Sequence, residues 1–310
     1  MLRTIFYAIK GVDDMDELRK KIIHLSHCQL LTWKQIFSFL QYDSSLQHLY
    51  NYSPNDLQQI LQVPFNRACQ VKKYLQTIPI QDILNKYEEQ SIYCITIIDD
   101  EYPHLLKNIY DPPWVLFCKG DLSLFQYKDC LSVVGTRQPT QYGYDAIQSV
   151  LAPLLHNQFV IVSGLALGID TAAHQLAIAK QAKTIAVLGS GFYNIYPKHN
   201  LPLANEIAHN HLLVSEYPPP TKPAKWHFPK RNRIISGLTS GTVVVQAKER
   251  SGSFITADQA LQQGREVFAI PGPITDDASK GVNKLIQMGA KLVQNPTDII
   301  SELHRFQSHR

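Results

Sequence analysis

Arg137 falls three residues after the apolar run 131–134, and Lys198 follows the run 184–188 through an aromatic stretch containing Phe192, Tyr193 and Tyr196. Arg231 and Arg233, with Asn232 between them, follow the run 212–215 through a proline-rich segment. A guanidinium can fork onto a phosphate with two parallel N–H bonds, and an ammonium offers the same anion a point charge. Gly135 permits a tight turn beside Arg137, while Ser163 and Gly164 offer bare backbone N–H groups near a helix start, the usual cradle for an anion. Rings interleaved with cations suit unpaired bases on a charged backbone. The competing readings are a carboxylate partner for Arg137 and core packing for each ring. Asp170 and His174, four residues apart, share a helix face. They form either an acid/base pair or a helix cap beside a satisfied core histidine.

These residues need elements to hold them. From about residue 130 the sequence alternates short apolar runs (131–134, 159–162, 184–188, 212–215, 242–245, 266–270 and 291–293) with helical stretches. Continuous apolar strands alternating with helices predict a mostly parallel, doubly wound α/β sheet covered on both faces. Ligands of such sheets bind outside the carboxyl ends of the strands. Each candidate residue falls there. Pro229 predicts a helix starting near Arg231, which puts two cations in a first turn where the helix dipole disfavours them unless an anion is also present. A Ser-Gly-Ser turn at 251–253 opens another helix. Before residue 90 the pattern is helical, with its clearest start at Ser53-Pro54-Asn55-Asp56, where Ser53 and Asp56 can close a capping box. Apolar Leu57, Ile60, Leu61, Ala68, Val71 and Leu75 keep a three-to-four spacing behind it. The reading is therefore a helical domain over 1–90 and an α/β domain over 91–310. Lys72 and Lys73 follow a turn, 62–65, without glycines, so a packing or spacer role is favoured there.

The net charge of +4 over 310 residues is unevenly spread. Residues 1–110 carry 11 basic and 12 acidic side chains, 111–216 carry 6 and 7, and 217–310 carry 13 and 7. Lys222, Lys225, Lys230, Arg231, Arg233 and Lys248 lie in a run, 217–248, that contains no acid. Such a run suggests either a polyanionic partner or a solvated loop. A composition that is 45% hydrophobic and 18% charged excludes a disordered or fibrous chain. No apolar run approaches the ~20 residues that span a bilayer, and Met1–Phe6 lacks a signal-peptide layout, so a cytoplasmic protein is expected. The five cysteines are odd in number and never spaced Cys-x-x-Cys, which indicates neither a disulfide framework nor a zinc site. There is no Walker-type loop and no dinucleotide fingerprint, so no nucleotide cofactor is expected.

Taken together, VVGTR, SGLALGIDTAAH, FPKRNRIISGL and SGSFITA closely resemble the bacterial DNA processing protein A family, also called Smf, over roughly two thirds of the chain from YPHLLKN to GVNKLIQMGAKLV. The resemblance implies an extended Rossmann-like domain preceded by a small domain resembling a sterile alpha motif. It implies non-enzymatic, cooperative binding of incoming single-stranded DNA during natural transformation, protection from nucleases and loading of the RecA recombinase, by a homodimer with no cofactor or metal. Carried over to this chain, Arg137 and Lys198 are the primary phosphate contacts, with Arg231, Asn232 and Arg233 in the same groove. Gly135, Ser163 and Gly164 donate backbone N–H groups, and Phe228 or Phe192 stacks on a base. Ile286, Met288 and Leu292 are the candidates for a dimer or RecA-facing surface, with core packing as the alternative.

The sequence departs from the family pattern at Tyr193, where many members have Asp, and at Gln246, where Glu is frequent. It also stops soon after Ser301-Glu302-Leu303-His304-Arg305, so the winged-helix domain that longer members carry is expected to be lacking. A rival reading is a nucleotide-processing hydrolase of the lysine-decarboxylase-like group, which shares a Gly-Thr turn like Gly241-Thr242. Those enzymes place a Glu three residues after the Thr, where this chain has Val245.

Overall fold

The computed structural model describes residues 14–308, so the first 13 residues of the expected helical domain, including the segment read for a signal peptide, lie outside the described residues. The chain divides into two compact units, residues 1–102 with 113–117, and residues 103–112 with 118–310. The first contains helices α1 (Met15–His27), α2 (Trp33–Tyr42), α3 (Pro54–Leu61), α4 (Phe65–Thr77) and α5 (Ile80–Glu89), then strand β1 (Tyr93–Thr96). At the start of α3 the expected box is closed: Asp56 accepts from the Ser53 N–H at 2.8 Å, and the Asp56 N–H donates back to Ser53 Oγ. Leu57, Leu61, Ala68, Val71 and Leu75 point inward as their spacing requires, whereas Ile60 is only half buried.

The second unit holds a short helix α6 (His104–Lys107), reached before the strand β2 (Val115–Gly120) that leads into it. Then follow β3 (Cys130–Val134), α7 (Gln141–His156), β4 (Val160–Ser163), α8 (Ile169–Ala179), β5 (Thr184–Leu188), α9 (Leu201–Asn210) and β6 (Leu212–Ser215). The remaining elements are α10 (His227–Gly237), β7 (Gly241–Val244), α11 (Gly252–Gln262), β8 (Glu266–Ala269), α12 (Lys280–Gln287), β9 (Lys291–Leu292) and α13 (Pro296–Ser308). Within this unit the strand order is β6-β5-β4-β3-β7-β8-β9, with every neighbouring pair parallel. The chain winds outward from β3 in one direction, returns, and winds outward in the other. That is the doubly wound α/β class expected, and it follows from strands apolar on both faces: β3, β4, β5, β6 and β7 are buried at every residue. One core packs Leu131, Ile161 and Val243 under α7 and α8. Another packs Ala186, Leu188 and Leu213 under α9.

Two details differ from expectation. Helix α10 begins at His227, not near Arg231, with Pro229 accommodated in its first turn where its missing N–H costs nothing. Arg231 and Arg233 therefore lie beyond the first turn, and the dipole argument for an anion does not apply to them. Strands β1 and β2 precede residue 130, where the sequence pattern of strands was expected to begin.

At α11 the small-residue turn is a cap, with Ser251 Oγ accepting from the Phe254 N–H. Ser251→Ala is expected to lower the unfolding free energy by about 1 kcal/mol, read from a urea denaturation curve; an unchanged midpoint would show that solvent replaces the cap. No helix among the described residues is long and apolar enough to cross a membrane.

Candidate functional site

Four strand exits converge on one pocket. Arg137 comes from the loop after β3, Gly164, Ala166 and Leu167 from the loop after β4, Tyr196 and Pro197 from the loop after β5, and Phe228 and Arg231 from α10 after β6. The position is the one that parallel α/β sheets reserve for ligands, outside the carboxyl ends of the strands. Arg137 is exposed at its rim, with no hydrogen bond or ion pair among the described residues. Its guanidinium is free to bind. Gly168, with φ +80°, lets the loop after β4 pass against the Arg137 backbone, and the Ile169 N–H donates to Thr136 O. Gly135 lies against Ile169 in the same way, so its bareness serves this close packing.

The aromatic wall is built from Phe228 and Tyr196, whose ring centroids are 5.6 Å apart. Phe228 is seated on Gly189, where a Cβ would stand 2.8 Å from its ring. The Arg231 guanidinium carbon lies 6.0 Å from the Phe228 centroid. Lys198 is exposed in the following turn, Lys198–Asn200. Phe192, the other stacking candidate, is half buried and packs against the core under α9.

Arg231 departs from the role expected of it. Its side chain is buried, and Nη1 donates to Gly164 O at 2.6 Å and Val187 O at 2.5 Å, while Nε donates to Asn232 Oδ1. Gly164 is the reason it fits. A Cβ there would meet the Arg231 guanidinium at 2.7 Å and Asp170 Oδ2 at 2.8 Å, so only a glycine lets the two charged groups close over the chain. Burial pulls the guanidinium down to about 10 against the attraction of Asp170. Burial likewise pushes the Asp170 carboxyl up, opposed by Arg231 and by the N–H groups of Ala166 and Gly164. The Gly164 N–H is therefore committed to Asp170 at 3.1 Å and is not a free anion donor. Ser163 is likewise buried in β4, with its hydroxyl donating to Val133 O.

Arg233, expected in the groove beside Arg231, is also spent internally. Arg233 is buried, with Nη2 2.6 Å from Glu216 Oε1 and Nε 3.2 Å from Asp111 Oδ2, and Lys230 reaches the same Glu216 at 3.2 Å. Burial disfavours the Glu216 carboxylate, but Arg233 and Lys230 outweigh it and hold its pKa below the usual range. Asn232 is buried, donating to Gly252 O and so tying α10 to the start of α11. Asp170 and His174 are not an acid/base pair. Asp170 caps the loop, while His174 Nδ1 bonds Thr184 Oγ1, and burial, with His211 and Arg231 nearby, lowers its pKa to about 3.

The crevice between β3 and β7, where the winding direction reverses, is filled by Gln246. Its Oε1 accepts from the Thr140 N–H and its Nε2 donates to Thr140 Oγ1 and Asp276 Oδ2. Gly241-Thr242 is not a turn but the first half of β7, with Thr242 Oγ1 accepting from Ser132 in the interior. The feature that suggested a hydrolase is thus structural. Among the candidate interface residues, Met288 is 58% and Leu292 40% exposed, the latter on β9, while Ile286 is half buried.

One positioning residue was not foreseen. Asn200, buried at the end of the Lys198 turn, donates to Leu165 O at 2.9 Å and Thr171 Oγ1 at 2.8 Å. Leu165 holds a left-handed φ of 58°, rare for a residue of its size. Asn200 thereby locks the loop after β4 to the loop after β5. An asparagine ending a Pro-Lys-His-Asn turn was the only sequence signal of it.

Fold and site define a doubly wound α/β protein with a cationic, aromatic pocket outside its strand ends. Residues 93–304 match the family model described as DNA recombination-mediator protein A, and the chain belongs to that family. It is 52% identical over 221 residues to the DNA processing protein DprA of Bacillus subtilis, covering 71% of this chain and 74% of that one. The X-ray structure of DprA from Streptococcus pneumoniae superposes with a TM-score of 0.80 at 41% identity, covering 92% of this chain and 97% of that one. A Helicobacter pylori DNA processing protein A structure, described for its single-stranded DNA binding mode, gives 0.63 at 32% identity over 69% of this chain and 96% of that one.

Proposed function

We propose that this chain is a non-enzymatic mediator that holds single-stranded DNA across the pocket and delivers it to the RecA recombinase. It acts as a homodimer in the cytoplasm, during natural transformation. The observation that carries this reading is the pairing of an unengaged guanidinium, Arg137, with the Phe228–Tyr196 aromatic wall at one rim. Arg137 and Lys198 supply the charge that tracks phosphates, and Phe228 supplies a face for a base, the combination that sequence-tolerant strand binding needs. Arg231 contributes as a fixed wall under Phe228 more than as a mobile ligand. The described single-strand binding of the Helicobacter pylori relative supports the choice of ligand. The exposed Met288 and Leu292, with Ile286 beside them, are the surface assigned to the dimer or to RecA.

Titrating the protein with single- and double-stranded oligonucleotides of one length at two salt concentrations tests the reading. Tighter binding of the single strand, weakening with salt, is expected. Equal affinity for both forms, or release of free base from nucleoside monophosphates, would overturn it.

A further inference from the structure

We infer that Trp226 is a second base-stacking platform, outside the pocket, for a nucleotide next to the one held at Phe228. The inference rests on the proposal that the pocket binds single-stranded DNA. Trp226 is the residue immediately before α10, and it is 74% exposed. Tryptophan is the largest apolar side chain and is rarely left so open to water. Its ring is nonetheless braced. His227 meets it edge-on at 5.8 Å and is itself stacked on Tyr217 at 4.0 Å, and the His227 N–H donates to Ala224 O to fix the turn that carries it. A braced, exposed ring loses little freedom when a base covers it.

Its surroundings select the partner. Lys225 is exposed in the same turn and Lys222 in the irregular segment just before it, and neither makes a hydrogen bond or ion pair among the described residues. No carboxylate occurs anywhere in the run 217–248. An apolar protein contact would not need two unengaged lysines within four residues of the ring in sequence, whereas a strand leaving the pocket can use both, for the phosphates flanking a stacked base. Phe228, two residues on, belongs to the pocket itself, so the strand passes from one platform to the other along the start of α10.

Intrinsic fluorescence reads this directly, because the other tryptophans, Trp33 and Trp114, stack on each other at 5.2 Å in the helical unit and Trp114 is buried. Subtracting the emission of Trp226→Phe from that of the wild type isolates Trp226. Oligothymidylate is expected to quench that emission, and an abasic oligomer of equal charge is not. Trp226→Ala should weaken oligothymidylate binding by about fivefold or more with its salt slope unchanged, and Trp226→Phe should restore most of the loss. Unquenched emission with wild-type affinity in Trp226→Ala would overturn the inference and leave the pocket reading intact. Equal quenching by the abasic oligomer would overturn it as well, as would unchanged DNA affinity in a Trp226→Ala protein that no longer associates with RecA. If the wild type binds no oligonucleotide, both readings fall.

Discussion

Replacing Arg137 and Lys198 together by alanine is expected to weaken single-stranded oligonucleotide binding for every sequence tested and to flatten its salt dependence. Both side chains are exposed, and neither makes a hydrogen bond or ion pair among the described residues. Their loss should leave the fold untouched. Each phosphate contact on a single strand contributes about 0.7 to the slope of log affinity against log salt, so the slope should fall by about 1.4 and affinity near 0.1 M salt by about 25-fold. Fluorescence anisotropy across a salt series measures both quantities. An unchanged slope, with the circular dichroism spectrum also unchanged, would remove these residues from the interface.

Arg231→Met should instead act on stability. Arg231 and Asp170 are both buried against Gly164 without a direct hydrogen bond between them; burial shifts each toward its neutral form while the opposite charge of the other favours its charged form, so removing either leaves the other without its nearby counter-charge. Removing one partner of such a pair typically costs about 3–5 kcal/mol, because the other is left in the interior without its counter-charge. Asp170→Asn in the same protein should recover part of that loss, since a carboxamide needs no counter-charge. A urea double-mutant cycle gives the coupling, expected at about 1 kcal/mol or more. Strict additivity of the two changes would show that the groups do not sense each other.

The sheet was legible in the sequence because strands buried on both faces read as uninterrupted apolar runs, and Arg137 was legible because its position is fixed by the end of one such run. The fate of Arg231 and Arg233 was not. Counted along the chain, the run 217–248 has six cations and no acid, which reads as an open basic surface. In space, its carboxylates arrive from outside it: Glu216 from the residue before, Asp111 from beyond α6, and Asp170 from α8. Charge that is unpaired in sequence is paired by topology, and among the described residues only Lys222, Lys225 and Lys248 of that run remain exposed without an ion pair. The helix start misread at Arg231 has a local cause. A proline ahead of a helical pattern reads as its boundary, whereas proline is equally at home inside a first turn. Strands β1 and β2 were not legible because β1 is followed only by the four-residue α6 and β2 by no α-helix before β3.

The pocket wall draws on residues from 137 to 231, contributed by four successive strand exits. No two neighbouring elements can make it alone, so it exists only after β3 to β6 have paired in parallel, an ordering of long-range contacts that is slow by nature. If the pocket binds as proposed, binding competence is therefore expected to come late in the folding of this domain, and partly folded chains are expected not to bind. The same dependence works in reverse: an oligonucleotide held there is linked to the whole sheet, and at about a hundred times its dissociation constant it would add about 2.7 kcal/mol to global unfolding. A chain engaged with its ligand is thereby also a chain protected from unfolding.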